Sequence, residues 1–323
     1  MKLYISIEQN KIFISEKIII NCWSEYVYFK HCVNISTNQY DENMPIGKTC
    51  DNMLLMPNTL INNLWHLMHH LFALYKFIII NNLVGGEVFP IFFSGFYKEQ
   101  HDMLKCKYLD LLFTGFGFSK DAFLETYKIF NEKKGIEIKN LQFVNSKVEF
   151  ESINGLHTKK SEPMFNDFKL FILNNYNIIQ SSKSKKNVTF ILRRESRKIL
   201  NIEEIQNLLK NIDIKYIFLE NYSIREQLNI IANTDIMVGV HGAGLIWSIF
   251  MKNDSLLIEI YPGNSNTDNY IRWCQIAKIK YQRLSASTDG DLRNFRMCNV
   301  RLTIPEINNI STCIGKNSSL HSL

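Results

Sequence analysis

The chain is predicted to be α/β, its second half a parallel sheet with helices on both faces. Three observations predict this. Four short apolar runs, NVTFILRR, IKYIFLE, DIMVGV and SLLIEIY, recur between residues 187 and 261. Each is continuously apolar rather than alternating, the pattern of a strand buried on both faces in a parallel sheet. Helix-start signals and tight turns separate them, and serial β-α units close into a parallel sheet through right-handed crossovers.

Taken in order, the first third reads as strands. KLYISIEQ, KIFISEKIII and YVYFKHCVNIS are rich in β-branched and aromatic residues. Residues 38–59 are polar and read as a loop. A helix is expected over 61–78. On a wheel of about 100° per residue, Asn62, Asn63, His66, His69, His70, Ala73 and Lys76 share an arc of about 140°, and apolar residues fill the rest. That is a broadly buried helix showing one polar stripe with three histidines. Gly85-Gly86 ends the region. VFPIFFSGF and YLDLLFTGF are strand or loop candidates, and 119–133 is a possible helix. Residues 164–180 look helical, and the run 181–186, SSKSKK, suits an exposed link between domains.

The regular half follows. Asn201-Ile-Glu-Glu204 and Ser223-Ile-Arg-Glu226 have the spacing of capping boxes, each opening a helix. DIMVGV runs into His241-Gly-Ala-Gly244, a tight turn, and LIWSIFM continues as a helix. SLLIEIY, the turn Pro262-Gly263, the helix NTDNYIRWCQIAKI and a fifth strand at YQRLS complete the series.

Composition bounds the function classes. The 323 residues are 46% hydrophobic and 21% charged, which suits one or two folded domains and excludes a disordered chain. The net charge of +6 suits an anionic small ligand and does not by itself imply nucleic acid. Seven widely spaced cysteines without a CxxC write no zinc ribbon or thioredoxin-type site, and read as reduced thiols. The opening residues lack the apolar core of a signal peptide, and Lys76 interrupts the most apolar stretch. No membrane span and a cytoplasmic location are therefore expected.

Open parallel sheets bind ligands beyond the carboxyl ends of their strands. Two strand ends here are distinctive. His241-Gly242-Ala243-Gly244 feeds into a helix whose N-terminal N–H groups and partial positive charge suit a diphosphate. It is neither a G-K-[ST] loop nor a full GxGxxG. Two readings fit it: a diphosphate cradle in which His241 adds a donor, or a sharp turn that the glycines permit and His241 caps. The first strand of the series ends in Arg193-Arg194-Glu195-Ser196-Arg197-Lys198. Its guanidinium groups suit bidentate phosphate contacts, and the same run also fits an exposed basic loop paired to Glu195 and Glu203.

These residues carry a resemblance. RRESRKILN, LENYSIREQ, VGVHGAGLIWSIFM and LLIEIYPG resemble, in order and spacing, the core of glycosyltransferase family 61. The family's usual form is S-R-R, R-x-I-L-N, a Glu-Gln helix, H-G-A-G-L-x-N and V-E-I. Asn63-Leu64-Trp65-His66-Leu67-Met68-His69-His70 resembles a second signature, N-x-x-H followed by apolar residues and an acid. The likeness covers about residues 185–263 and 60–78.

The resemblance implies a GT-B-like fold, two Rossmann-like domains facing a cleft. Residues 1–182 would form the acceptor-side domain and 183–323 the nucleotide-sugar-binding domain. It implies inverting, metal-independent transfer of a hexosyl or pentosyl group from a nucleotide sugar, a UDP-sugar foremost, to a glycan or protein hydroxyl. No cofactor beyond that co-substrate is implied. Arg193, Arg197, His241 and the N–H groups of Gly242, Ala243, Gly244 and Leu245 would hold the diphosphate. Glu259 would orient the ribose or brace the loop. Two departures stand out: Ile246-Trp247 where the family often has Thr-Asn, and His70 where it usually has Asp or Glu.

A single displacement at the anomeric carbon needs one general base, and His66 on the polar stripe is the candidate; a hydrogen-bonded structural histidine is the other reading. His66 and His70 have the i, i+4 spacing of zinc ligands, but Leu67 stands where HExxH needs Glu, and no third ligand is evident. Asp289-Gly290-Asp291 is a DxD lying in a Ser/Thr/Gly loop and reads as a solvated turn. The alternative to an enzyme is an inactive relative that binds sugar nucleotides or glycans, motivated by His70. A nucleic-acid protein using the 183–198 basic run is disfavoured, because the run carries no aromatic-basic motif.

Overall fold

The structure, a computed structural model, describes residues 3–8, 11–14, 35–36, 46–58, 63–80, 88–94, 106–131, 135–143, 158–181, 186–263, 269–290 and 297–318. Most of the YVYFKHCVNIS run, residues 182–185 of the 181–186 link, and Asp291 lie outside them. The chain is mixed α/β and divides into two compact units, Met1–Glu151 and Ser152–Leu323.

The first unit carries a six-stranded sheet in the order β3-β2-β1-β6-β4-β5. Its strands are β1 (Leu3–Glu8), β2 (Lys11–Ile14), β3 (Ile35–Ser36), β4 (Ile46–Asn58), β5 (Val88–Ser94) and β6 (Gly135–Phe143). The expected loop at 38–59 is corrected. IGKTCDNMLLMPN is poor in strand formers, yet β4 runs thirteen residues because it pairs in parallel with both β5 and β6. Tertiary pairing overrides its weak local propensity. YLDLLFTGF is also not a strand. A 3-10 turn at Lys107–Leu109 leads into helix α2 (Asp110–Phe116), which Gly117 ends in the left-handed conformation, φ 74°. Helix α1 (Leu64–Ile80) and helix α3 (Lys120–Asn131) fall where the sequence puts them.

In the second unit, helix α4 (Thr158–Asn175) precedes strands β7 (Val188–Ile191), β8 (Ile214–Ile217), β9 (Ile236–Val240), β10 (Leu256–Pro262), β11 (Lys280–Thr288) and β12 (Val300–Arg301). Helix α4, which the sequence reading placed ahead of the 181–186 link, packs on helix α7 (Asn269–Ile276) inside this unit. The sheet order is β12-β11-β10-β9-β7-β8. β8 to β11 and β7 pair in parallel, and only the edge strand β12 is antiparallel. Numbered within the unit, the parallel strands lie 2-1-3-4-5. In this doubly wound order the connections leave β7 and β9 in opposite directions, opening a crevice at their carboxyl ends.

Alternation of side chains assigns the two faces. Val188, Phe190, Val238, Ile258 and Ile260 join Ile205 of helix α5 (Ile202–Leu208) and Ile307, Ile310 and Ile314 of helix α8 (Ile304–Ser318) in one buried cluster. On the opposite face Gly239 lets the segment Ala243–Phe250 approach; a methyl group on it would lie 2.8 Å from Leu245 Cδ2. The helix expected there is a 3-10 helix. Leu245, Ile246, Trp247, Ser248, Ile249 and Phe250 are all buried in it; at three residues per turn these side chains point all round the axis, so the segment is enclosed on every side. At the Ile246-Trp247 departure both residues are core: Trp247 packs with its ring tilted 49° and 5.7 Å from Phe250.

The two capping boxes part company. At helix α6 (Ile224–Ala232), Ser223 Oγ accepts from the Glu226 N–H and Glu226 accepts from the Ser223 N–H. At α5, Asn201 makes no side-chain cap. Its amide donates to the Leu302 carbonyl at 2.7 Å and its oxygen accepts from the Leu302 N–H, clamping the loop before α8.

Candidate functional site at the ends of strands β7 and β9

The crevice between β7 and β9 receives both of the polar motifs that the sequence singles out. After β7 the chain folds back on itself: Arg193 Nε donates to the Ser196 carbonyl at 2.9 Å, and Arg197 takes a left-handed conformation, φ 57°. A non-glycine residue there stores about 1 kcal/mol or more of strain, which the surrounding contacts must offset. The reward is placement. A methyl group on Gly242 would overlap Arg193 Nη1 and lie 3.2 Å from Arg193 Cζ and 3.5 Å from Arg197 Cζ. Both guanidinium groups therefore lie against the glycine turn that follows β9, although 45 residues separate Arg197 from Gly242. A methyl group there would push the end of the Arg193 side chain out of this position. Arg194 points elsewhere. Its guanidinium lies 4.6 Å from the Phe218 ring, donates to Asn221 Oδ1 at 2.7 Å and sits 3.6 Å from Glu220. The basic run thus splits into one surface arginine and two that face the turn, and the surface partner is Glu220 rather than Glu195 or Glu203.

His241 is fixed from several sides. Its N–H donates to the Ile260 carbonyl, extending the β9–β10 ladder. Its Nδ1 lies 2.5 Å from Glu259 Oε1. The ring packs 4.6 Å from Tyr261 and edge-on at 5.7 Å from Tyr270. Glu259, only 1% exposed, spends its second oxygen on the Tyr281 hydroxyl, which donates to Oε2 at 2.5 Å. Both oxygens of its carboxylate are thus engaged by protein groups. Tyr270, buried on α7, donates to the Gly242 carbonyl at 2.6 Å and so orients the peptide of the turn. Burial pushes the Tyr270 and Tyr281 hydroxyls up, the charge on Glu259 adds to it, and both stay protonated donors. Arg283 stacks over Tyr261 at 4.0 Å, a further cation beside this cluster.

One predicted donor is already used: the Leu245 N–H donates to the Gly242 carbonyl at 2.9 Å. Tyr270, Tyr281 and Arg283 were not foreseen. Tyr281 and Arg283 are brought in by the parallel register: Glu259 pairs with Arg283, and Tyr281 stands two residues earlier on the same face.

His66 belongs to the first unit. It is half-buried on α1, with its ring 5.0 Å from Trp65. The expected polar stripe is corrected, because His69, His70 and Ala73 are buried. Burial, with neighbouring imidazoles adding to it, lowers His69 to about 3 and His70 to about 4, so both are neutral near pH 7. Asp289 accepts from the backbone N–H and side-chain amide of Asn299 and closes the β11–β12 connection. Among the described residues, no three His, Cys, Asp or Glu side chains gather as a metal site, and no helix is long and apolar enough to cross a membrane. Cys106, Cys274, Cys298 and Cys313 are free thiols.

Arg193 and Arg197 thus meet the glycine turn where the order of the parallel strands reverses, and comparison with known sequences gives the family. The family described as Glycosyltransferase 61 matches residues 64–258, and the chain belongs to it. Curated relatives include EGF domain-specific O-linked N-acetylglucosamine transferases. The one from Mus musculus is 37% identical over 106 residues, 30% of this chain and 20% of its own length. The one from Gallus gallus is 30% identical over 168 residues, 44% of this chain and 30% of its own. The one from Drosophila melanogaster is 33% identical over 103 residues, 30% and 20% respectively. The matched stretches span less than a third of these relatives' length.

Proposed function

We propose that the chain transfers a sugar from a nucleotide sugar to an acceptor hydroxyl with inversion and without a metal. The donor proposed is UDP-N-acetylglucosamine, by likeness to relatives named for N-acetylglucosamine transfer. The observation that carries the reading is the packing of Arg193 and Arg197 against Gly242. Two delocalised cations beside a glycine turn suit a diphosphate, and they stabilise the charge that develops on the leaving group as the glycosidic bond breaks. His241 and the N–H groups of Gly242, Ala243 and Gly244 complete the cradle. Leu245 drops out as a direct donor, and Glu259 acts as the brace of His241.

The acceptor hydroxyl loses its proton as it attacks, so a base is required. His66 is the proposed base, supported by its being the least buried of the three α1 histidines. The buried, neutral His70 at the usual acidic position supports a second reading, a binding protein without turnover. One experiment separates these. Isothermal titration with UDP-, GDP- and CMP-sugars is run on wild type and Arg197→Ala, and transfer is assayed on His66→Ala. Loss of binding in Arg197→Ala and loss of turnover alone in His66→Ala fit the enzyme. Tight binding without turnover on any acceptor fits the binding protein. Binding that ignores Arg197 contradicts both.

A further inference from the structure

We infer that Tyr270 is a positioning residue of the donor site: by holding the Gly242 carbonyl on the buried side of the turn, its hydroxyl turns the Ala243 N–H outward, where the diphosphate of the nucleotide sugar accepts it. The inference rests on the donor-site reading above and deepens it, naming the backbone group that meets the ligand and the side chain that aims it.

The Gly242 carbonyl accepts twice, from the Tyr270 hydroxyl at 2.6 Å and from the Leu245 N–H at 2.9 Å. A carbonyl has no proton to give, so the tyrosine is the donor. Burial, with the charge on Glu259 adding to it, keeps that proton on the hydroxyl. Tyr270 and Leu245 are each 2% exposed, so the carbonyl points into the protein. Tyr270 is itself fixed by helix α7, which packs on α4 with Trp273 5.6 Å from Phe165.

No peptide bond among the described residues is cis. In a trans peptide the C=O and the following N–H point in opposite directions. The Ala243 N–H therefore points away from Tyr270 and Leu245, toward the open side of the turn. Ala243 is partly exposed, and its N–H has no acceptor among the described residues. The guanidinium groups of Arg193 and Arg197 pack on Gly242, the residue that shares this peptide. The N–H and the two cations thus converge on one turn.

Glycine leaves this peptide free to rotate unless something holds it. Rotation by half a turn would present the carbonyl to the diphosphate, oxygen against oxygen. It would also strand the buried Tyr270 hydroxyl without an acceptor, which is costly. The hydroxyl therefore selects the orientation that offers a donor to the ligand over the one that offers an acceptor.

Titration calorimetry with UDP-N-acetylglucosamine compares wild type with Tyr270→Phe, which keeps the ring and loses only the hydroxyl. Affinity is expected to fall roughly three- to tenfold, the equivalent of one net hydrogen bond. Amide spectra supply the readout that a merely structural tyrosine would not move. With ¹⁵N-alanine labelling, and Ala243 assigned by its loss in Ala243→Ser, the wild-type Ala243 proton should shift downfield when nucleotide sugar saturates the protein, and shift less in Tyr270→Phe. Unchanged affinity in Tyr270→Phe overturns the inference. So does a wild-type Ala243 resonance that stays in place at saturation, a result that decides the matter even if Tyr270→Phe does not fold. A wild type that binds no nucleotide sugar removes the donor-site reading, and the inference falls with it.

Discussion

Two regions of this molecule concentrate imidazole and cationic chemistry, and they solve opposite problems. At the ends of β7 and β9, polar side chains are engaged by one another: Glu259 by His241 and Tyr281, the Gly242 carbonyl by Tyr270. On α1, His69 and His70 are buried and held neutral by desolvation. The first arrangement keeps charge available next to a backbone turn. The second removes charge from the interior. Histidine in a sequence motif therefore says little until its partners are known: with a buried carboxylate it is a poised donor, and among apolar neighbours it is a core residue whose protonation opposes folding.

The largest expected effect breaks the α1 side of this comparison. His69 and His70 have folded values below their unfolded ones, so the unfolded chain binds more protons below about pH 6.5. Stability is fully present above that pH and is lost as pH falls toward 4, on the order of several kcal/mol for the pair. Urea unfolding from pH 7 to 4.5 should show the decline, and His69→Gln should flatten it. An unchanged slope would place the acid sensitivity elsewhere.

Gly242→Ala sharpens the other side. Its methyl group would displace Arg193, and the loss of a charge-assisted contact of roughly 1.5–3 kcal/mol lowers nucleotide-sugar affinity about 10- to 100-fold. Titration calorimetry measures it, and full affinity in Gly242→Ala would mean the arginines do not serve the ligand.

Lys169 gives a third kind of buried cation, with no carboxylate paired to it among the described residues. Its Nζ donates to the Met251 carbonyl and, at 3.4 Å, to Asn253 Oδ1, and burial lowers it to about 8. The unfolded lysine holds its proton to higher pH, so stability rises from about pH 8 toward 10. Lys169→Met should abolish that rise, read by denaturant unfolding at pH 7 and pH 10. The smallest effect is a control. Ser223→Ala removes the α6 cap for about 1 kcal/mol and leaves nucleotide-sugar affinity unchanged.

The sequence disclosed most where structure is local. The strands from β7 to β11 are legible because burial on both faces makes them continuously apolar, and the Ser223 box because its two bonds lie within four residues. β4 was hidden, since its thirteen residues become a strand only through β5 and β6. Asn201 was misread because a carboxamide that fits a cap fits the Leu302 backbone as well. At the site, the arginines and His241-Gly242 were visible as motifs. Tyr270 and Tyr281 were not, because a tyrosine on a helix or strand carries no sign of the carbonyl or carboxylate that folding brings to it.

The central claim is that Arg193, Arg197 and the turn at Gly242 form one anion site. Calorimetric titration of wild type, Arg197→Ala, His241→Gln and the double variant with UDP-N-acetylglucosamine tests it most directly. The account predicts that each single change weakens binding at least tenfold, and that the double variant loses less than the sum, since both residues would hold the same diphosphate. Wild-type affinity in either single variant, or losses that simply add, would contradict it.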